Sequence, residues 1–306
     1  MCDSVAGAAG TLAGALGCSA TTDWRSLLAD PRIDIVCIAT PNGFMAEIAI
    51  EALRAGKHVL LEKPMGRNLA EALAIADAAL QTQRTLKIGF NHRYHPALSE
   101  AHRRFVAGEI GELVNIRARY GHGGRPGYEK EWRGNPKLAG GGELTDQGVH
   151  ITDLINWFAG MPADVFGYTQ TAVWPIGPLE DNGFGLFRFS GGQVASMHTS
   201  WTQWKNLFSF EVFGALGSAA IDGLGGSYGP ERLTVAKRNP AGGVPASEEL
   251  LYEGPDASWS LEWDDFLGAV LAGTPYLGTP EDGIAAMGIL DALYRSVRSG
   301  EPVHLD

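Results

Sequence analysis

The sequence predicts an α/β plus α+β protein with two domains. Up to about residue 94, short apolar segments alternate with helical patterns, which is typical of a doubly wound parallel sheet. Beyond that point, alternating strand patterns follow one another with few helices between them, which indicates a large, mostly antiparallel sheet. We therefore expect a truncated doubly wound domain over residues 1–94 and an α+β domain over residues 95–306.

Local signals define each element of the first domain. The first strand is nearly continuously apolar, so we expect it to be buried on both faces. The first helix ends in a glycine cap, and the second begins at Asn68 with Glu71 three residues later, like a capping box. The predicted elements are strand Ile33–Thr40, helix Ala46–Gly56, strand His58–Glu62, helix Asn68–Gln81 and strand Thr85–Phe90.

The second domain contains six alternating segments and four helical ones. The strand segments are ELVNIRARYG, VFGYTQTAV, NGFGLFRFS, QVASMHTSW, LFSFEVFG and AAIDGLGG. The helices are expected at Pro96–Ala107, Glu143–Phe158, Leu261–Ala272 and Glu281–Ser299.

Composition excludes several classes of partner. The chain of 306 residues is 45% hydrophobic and 19% charged, a globular balance, and its net charge of −11 argues against nucleic acid and anionic membranes. Three cysteines without C-x-x-C spacing indicate neither a disulfide framework nor a zinc site. Because no segment reads as a signal peptide or a membrane span, we expect a cytoplasmic protein.

The segment HVLLEKPM places Glu62, Lys63 and Pro64 at the end of a predicted parallel strand. Ligands bind at the carboxyl ends of strands in open α/β sheets. A lysine there can hold a substrate hydroxyl and favour a developing alkoxide. The simpler alternative is a surface lysine that follows a strand.

A second cluster lies in GGGELTDQGVHITDLINWFAG. On one continuous helix, Asp146, His150 and Asp153 would share a face. A carboxylate one turn from an imidazole suits a general base. The alternative is a solvated acidic face with a histidine satisfied in the core.

Together, the segments ATPNGFMAEIAIEALRAGKHVLLEKPM and WRGNPKLAGGGELTDQGVHITDLINWFAG resemble the glucose–fructose oxidoreductase, inositol dehydrogenase and rhizopine-catabolism (Gfo/Idh/MocA) family of nicotinamide-dependent oxidoreductases. The resemblance covers nearly the whole chain. It implies NAD as cofactor, with NADP as the alternative, and a sugar or cyclitol as substrate. It also implies that the peptide between Lys63 and Pro64 is cis.

The resemblance also implies roles for individual residues. His150 would take the proton of a secondary alcohol while hydride passes to the nicotinamide, Lys63 would hold the oxygen, and Asp146 would orient His150 or share the hydroxyl hydrogen bond. The implied catalytic residues are Lys63, Asp146 and His150; the cofactor-binding residues are Asp3, Thr40, Pro41, Asn42, Glu62, Lys63, Pro64 and Asn91; the substrate-binding residues are Arg93, Tyr128, Trp132, Arg133, Asp146 and His150.

Two positions depart from the family pattern. Met45 stands where the family often has histidine, and no G-x-G-x-x-G follows an N-terminal strand. If Cys2 and Asp3 correspond to the end of the family's second strand, Asp3 would bind the adenosine ribose, which favours NAD. We expect the first strand and phosphate loop to be missing because the record is truncated, with a cofactor-less pseudoenzyme as the alternative. The chain as written is then not expected to bind NAD tightly.

Glycine-punctuated residues 121–134, GHGGRPGYEKEWRG, are expected to line the substrate cleft. Arg125 and Arg133 leave a sugar acid or nucleotide sugar open as substrate. Aromatic faces of the second domain suit a sugar ring, although Trp157 is expected to pack in the core. The tryptophans concerned are Trp132, Trp157, Trp174, Trp201 and Trp204.

A metal-dependent reaction is a further hypothesis. A metal-dependent isomerase or lyase could use Asp146, His150 and Asp153 as ligands, but no second His/Glu cluster stands out, so no metal is expected.

The segments Leu207–Phe213 and Gly185–Phe189 place apolar residues on both faces of the sheet, which predicts a homodimer or homotetramer. Alternatively, residues 230–260 fold back over that face.

Overall fold

The computed structural model describes residues 1–305. Its first part contains α1 (Ala6–Leu16), α2 (Trp24–Ala29), β1 (Ile35–Ile38), α3 (Asn42–Arg54), β2 (His58–Glu62), α4 (Leu69–Thr82) and β3 (Leu86–Gly89). Among the described residues, β1, β2 and β3 form a parallel sheet in that order. The predicted parallel α/β arrangement of this part is therefore confirmed.

Helices α1 and α2 were not predicted. The first is built from alanine, glycine and leucine, so it has no clear polar face, and the second has only six residues. Just before α1, Cys2 forms a single parallel bridge with Thr21. Weak periodicity and short length explain why the sequence pattern missed both helices.

The start of α4 matches half of the predicted capping box. The Asn68 side chain accepts a hydrogen bond from Glu71 N, at 3.0 Å. The Glu71 carboxylate does not bond back to Asn68; it accepts from Arg67 N at 2.8 Å and pairs with the Arg67 guanidinium. A nearby cation therefore replaces the second arm of the box.

The second part contains α5 (Pro96–Val106), β4 (Leu113–Gly121), α6 (Pro136–Ala139), α7 (Glu143–Asp146), α8 (Gly148–Ala159), β5 (Asp164–Gln170), β6 (Asn182–Arg188), β7 (Val194–Ser200), β8 (Leu207–Gly214), β9 (Gly217–Asp222), β10 (Glu231–Lys237), β11 (Ala246–Tyr252), α9 (Ser258–Ala272), α10 (Pro280–Ser299) and β12 (Val303–His304). In the part of the chain described, nine strands form one sheet in the order β11-β10-β9-β8-β4-β7-β6-β5-β12. Every pair is antiparallel except β4 with β7. The predicted large, mostly antiparallel sheet is confirmed.

The predicted single helix Glu143–Phe158 is interrupted. Helix α7 ends at Asp146, Gln147 has φ −105° and ψ −30°, and α8 begins at Gly148. The interruption breaks the regular helical spacing on which the shared face of the three predicted residues depended. Asp146, His150 and Asp153 also contact different residues.

One face of the large sheet lies against helices α5, α8 and α10, and the opposite face is open. On the open face, Phe184 and Leu186 of β6 are 38% and 53% exposed, and the Phe184 ring stacks on His198. The neighbouring strands β4 and β8 contribute the ion pair between Arg117 and Glu211. Strands β10 and β11 extend the sheet at its edge, so residues 230–260 do not fold back over this face. Among residues 1–305, no helix is long and apolar enough to cross a bilayer.

The C-terminal segment returns to the first sheet. Ile88 N of β3 donates to Gly278 O at 2.7 Å, beyond the strand's own partners. Lys87, also in β3, is fully buried and donates to Asp265 of α9 at 2.7 Å and to Leu277 O. Residues from the far end of the chain thus complete the environment of β3.

A buried ion cluster joins the two parts. The Arg93 guanidinium, just after β3, donates to Asp153 of α8 at 2.6 and 2.9 Å. It also donates to Asp282 of α10 at 3.0 and 3.1 Å. Arginine suits this position because its planar group satisfies two carboxylates at once.

Arg93→Lys should lower the free energy of unfolding by about 3 kcal/mol, because a single ammonium cannot replace four charge-assisted hydrogen bonds in a buried site. Urea unfolding followed by circular dichroism measures the change. The matched control is Arg32→Lys, whose partner is Asp30 and whose side chain is 87% exposed. The control should leave the midpoint unchanged, and equal effects of the two variants would contradict the structural importance of the cluster.

Candidate active site

A polar cleft of about 410 Å³ lies beside the end of β2 and the start of the α7–α8 segment. Its walls come from the first sheet, the loop after β4 and the segment between β9 and β10. The lining residues are Lys63, Tyr120, His122, Gly123, Gly124, Arg125, Tyr128, Arg133, Asp146, Gln147, Asn206 and Tyr228.

Lys63 and Asp146 meet in this cleft. Lys63 is the middle residue of the E-K-P segment, and its peptide bond to Pro64 is cis. Its Nζ donates to the backbone oxygen of Asp146 at 2.6 Å and lies 3.8 Å from Asp146 Oδ1. Arg133 Nε donates to the other oxygen, Oδ2, at 3.1 Å. The carboxylate therefore lies between two cations on the wall of the cleft.

His150 is buried next to a second histidine. Its ring stacks on that of His92 with centroids 3.7 Å apart and an angle of 22° between the planes. Burial, reinforced by His92 and Lys63, lowers the pKa of His150 well below its ordinary value, so the imidazole is neutral near pH 7. A neutral imidazole can accept a proton, as a general base must.

The predicted pairing of Asp146 with His150 is not found among the described residues. Asp146 contacts Lys63 and Arg133, whereas His150 Nδ1 is buried without a hydrogen-bond partner. The Asp153 carboxylate forms a buried ion pair with Arg93. The three residues therefore have different polar partners.

The glycines before α7 are held by a buried glutamate. Glu180 Oε1 accepts from Gly142 N at 3.0 Å and Leu144 N at 3.1 Å, and from the Tyr294 hydroxyl at 2.7 Å. A Cβ on Gly142 would lie 2.1 Å from Glu180 O. Only glycine allows this close approach, which fixes the loop that leads into Asp146.

The residues implied in cofactor binding lie near the ends of the first sheet's strands. Thr40 follows β1 and its Oγ1 is buried without a partner among the described residues. Pro41 precedes α3, and Asn42 Nδ2 donates to Ala139 O at 2.8 Å. An unpartnered hydroxyl at this edge fits a ligand that supplies a hydrogen bond, as a dinucleotide does.

Three further implied cofactor residues differ in their surroundings. Glu62 ends β2, and burial raises the pKa of its carboxyl group. Asn91 is buried, and its Nδ2 donates to Ser258 Oγ at 3.0 Å. Asp3 is exposed, and its Oδ1 accepts from Val5 N at 2.8 Å. Met45, the departure from the family pattern, packs in the hydrophobic core.

The residues implied in substrate binding differ in whether they face the cleft. Tyr128 and Arg133 line the cleft, and burial raises the pKa of Tyr128 to about 12. Trp132 is half-buried, with the Arg133 guanidinium 4.4 Å from its ring centroid. Arg93 is buried in its ion cluster, so its donors are used within the protein instead of facing the cleft.

Sequence reasoning missed several lining residues. Tyr228 lies in the glycine segment Gly223–Gly229, and its hydroxyl accepts from Gln147 Nε2 at 3.2 Å. Asn206 Nδ2 donates to Ser227 Oγ at 2.6 Å, in the same region. The density of glycines between two strands was the available signal. Sheet pairing, not local pattern, brings these residues to the cleft.

The structure offers no metal site in the part of the chain that it describes. Among residues 1–305, no group of three or more histidine, cysteine, aspartate or glutamate residues is placed to hold an ion. Of the three proposed ligands, Asp146 pairs with Lys63 and Arg133, Asp153 pairs with Arg93, and His150 stacks on His92. The contacts therefore do not support the isomerase or lyase hypothesis.

Comparison with family models assigns both parts of the chain. Residues 1–90 match a model described as "Oxidoreductase family, NAD-binding Rossmann fold". Residues 98–220 match the model "GFO/IDH/MocA C-terminal domain".

Similar proteins include dehydrogenases and reductases of sugars. A levoglucosan dehydrogenase from Pseudarthrobacter phenanthrenivorans is 32% identical over 67% of this chain, and the match spans 59% of that relative's length. A 1,5-anhydro-D-fructose reductase from Ensifer adhaerens is 30% identical over 93% of this chain and 84% of its own. The solved structure of a levoglucosan dehydrogenase in complex with NADH and L-sorbose superimposes with a TM-score of 0.91 at 26% identity, covering 100% of this chain and 89% of that one.

Gly142→Ala should lower the free energy of unfolding by about 2 kcal/mol, because the new methyl group clashes with the Glu180 backbone. The matched control, Gly288→Ala, lies within α10 with no atom within 4 Å of the added Cβ, and it should raise stability by about 0.5 kcal/mol. Chemical unfolding of both variants measures these changes. A neutral Gly142→Ala variant would show that the loop can move away from Glu180.

Proposed function

The chain belongs to the Gfo/Idh/MocA family of oxidoreductases, and we propose that it oxidises a secondary alcohol of a sugar, cyclitol or sugar derivative with NAD. The observation that carries this proposal is the meeting of Lys63 and Asp146 in one polar cleft at the end of a parallel strand. The reverse reaction, reduction of a ketone, uses the same groups.

Bound NAD would supply the hydride acceptor in this reaction. Lys63 would donate a hydrogen bond to the reacting oxygen and stabilise its developing negative charge. His150, neutral because of its burial, would receive the hydroxyl proton while the hydride leaves the same carbon. Asp146 would hold Lys63 and Arg133 in place, a role that replaces the expected orientation of His150.

The cofactor residues support NAD in preference to NADP. Asp3 would bind the ribose hydroxyls of the adenosine, since a carboxylate repels a 2′-phosphate. Thr40, Asn42, Glu62 and Asn91 would contact the remainder of the cofactor near the ends of the strands.

The cleft suits a hydroxyl-rich substrate. Its lining combines phenols, amides, a histidine and two arginines, which can donate and accept many hydrogen bonds. Tyr128 would offer an aromatic face to a sugar ring. The relatives named for levoglucosan and 1,5-anhydrofructose support a cyclic sugar derivative.

The free cysteines Cys2, Cys18 and Cys37 are consistent with the proposed reducing cytoplasm.

A panel assay tests the function. The full-length protein is mixed with NAD or NADP and with pyranoses, anhydrosugars, cyclitols or sugar acids, and formation of reduced nicotinamide is followed. We expect turnover with a cyclic polyol and NAD. Absence of both turnover and dinucleotide binding would instead favour the cofactor-less binding relative.

Lys63→Ala and His150→Ala should each lower kcat by about 10²- to 10⁴-fold, because each removes a group that acts on the reacting hydroxyl. NAD affinity, measured by calorimetry, should change little in comparison. Lys237→Ala, an exposed lysine of β10, is the matched control and should keep full activity. Turnover near that of the control in either variant would remove that residue from the catalytic mechanism.

We also propose that the open face of the large sheet pairs with the same face of a second copy. Phe184, Leu186 and Tyr168 give it exposed apolar surface, which monomers seldom leave uncovered. Arg117 and Glu211 lie on the same face and suit a self-complementary contact, since a two-fold axis brings identical patches together. The resulting dimer could pair again into a tetramer.

Light scattering should give two or four times the chain mass of 32.6 kDa. The double variant Phe184→Glu with Leu186→Glu should give the monomer mass with an unchanged circular dichroism spectrum. Leu80→Glu, a 78% exposed position on α4, controls for the added charge and should keep the assembly. A monomeric parent protein would refute the interface.

A further inference from the structure

The proposed base, His150, stacks on a second histidine, His92. His92 belongs to the short helical turn Asn91–Tyr94 after β3, and His150 belongs to α8. Their ring centroids are 3.7 Å apart and both side chains are buried. Two imidazoles at this distance cannot both carry a positive charge without strong repulsion.

Asn91 is the hydrogen-bond partner of His92. Asn91 Nδ2 donates to Ser258 Oγ, and Asn91 Oδ1 lies 3.0 Å from His92 Nδ1, where it accepts a hydrogen bond in the tautomer that carries hydrogen on Nδ1. His92 Nε2 is buried without a partner among the described residues, as is His150 Nδ1. Neither ring is held in its cationic form by an acidic partner.

The groups around the pair add positive charge more than negative. Lys63 approaches from the end of β2, and His95 lies 5.6 Å from His92 while its own Nδ1 is bonded to Glu231 of β10. Tyr120 of β4 presents an uncharged ring edge at 5.2 Å from His92. Burial first, then these charges, lower the pKa of both His92 and His150.

We propose that His92 and His150 form a stacked imidazole pair that carries at most one positive charge, with His92 as the positioning residue of the base. The proposal rests on the function proposed above, in which His150 receives the substrate's proton. In the resting pair both rings are neutral. When His150 takes the hydroxyl proton, its imidazolium lies against a neutral ring that cannot itself be protonated in that state.

The pair therefore has a thermodynamic signature that burial alone does not produce. Coupled sites titrate in two steps that belong to the pair, and coupling free energies are reciprocal. The midpoints of the two single variants, added together, should therefore exceed the sum of the parent's two apparent pKa values by the coupling between the charged rings.

Site-resolved NMR titration of the imidazoles tests this without substrate or cofactor. In His92→Gln, which keeps an amide donor for Asn91, and in His150→Gln, the remaining imidazole should follow a single-proton curve. The two single-variant midpoints together should exceed the sum of the parent's two apparent pKa values by about one pH unit. In the parent protein both curves should be broad and lie lower, or not begin before acid unfolding.

Two controls complete the experiment. His92→Phe provides a second non-titrating ring in case the amide disturbs folding, and it should give His150 the same single-proton curve. His102→Phe removes another stacked histidine, whose ring lies 3.7 Å from that of Trp157 and outside the pair, and it should leave the parent's titration unchanged. Single-variant midpoints that together do not exceed the sum of the parent's two apparent pKa values would overturn the pair. A parent protein that shows the excess but is inactive would instead refute only the function.

Discussion

The buried contact of Arg93 with Asp153 and Asp282 determines how the two parts of the molecule meet. Arg93 follows His92 directly, and Asp153 lies one helical turn after His150. The same ion cluster that joins the first sheet to α8 and α10 therefore also sets the registry of the two stacked imidazoles. A buried guanidinium without these carboxylates would be costly at this depth, so the cluster favours the observed arrangement of the three elements.

Elements with a strong local pattern could be predicted from the sequence. Strand β2 matches its predicted bounds, and the positions of Lys63 and Asp146 followed from two compact motifs. The break at Gln147 could not be predicted, because helical spacing assumes a regular backbone. The contacts of Glu180 with Gly142 N and Leu144 N also have no local signal, since Glu180 lies far along the chain.

Only some of the residues that line the cleft could be predicted from the sequence, because the others reach it through long-range strand pairing. Tyr128 and Arg133 belong to a loop whose glycines and aromatic residues attract attention. Tyr228 and Asn206 come from segments that reach the cleft through the pairing of β8 with β9 and β9 with β10. A sheet assembles residues of distant sequence, and no periodicity within one segment records which neighbour it will have.

The return of the C-terminal segment onto β3 makes the two parts of this protein inseparable as modules. Lys87, in the edge strand β3 of the first sheet, has its ammonium satisfied by Asp265 and Leu277 O, and Gly278 leaves no room for a side chain against Ile88 O. Recombination between relatives at the apparent junction near residue 95 would leave that lysine with foreign partners. Such exchanges are compatible with this architecture only if the tail is inherited together with the strand it covers.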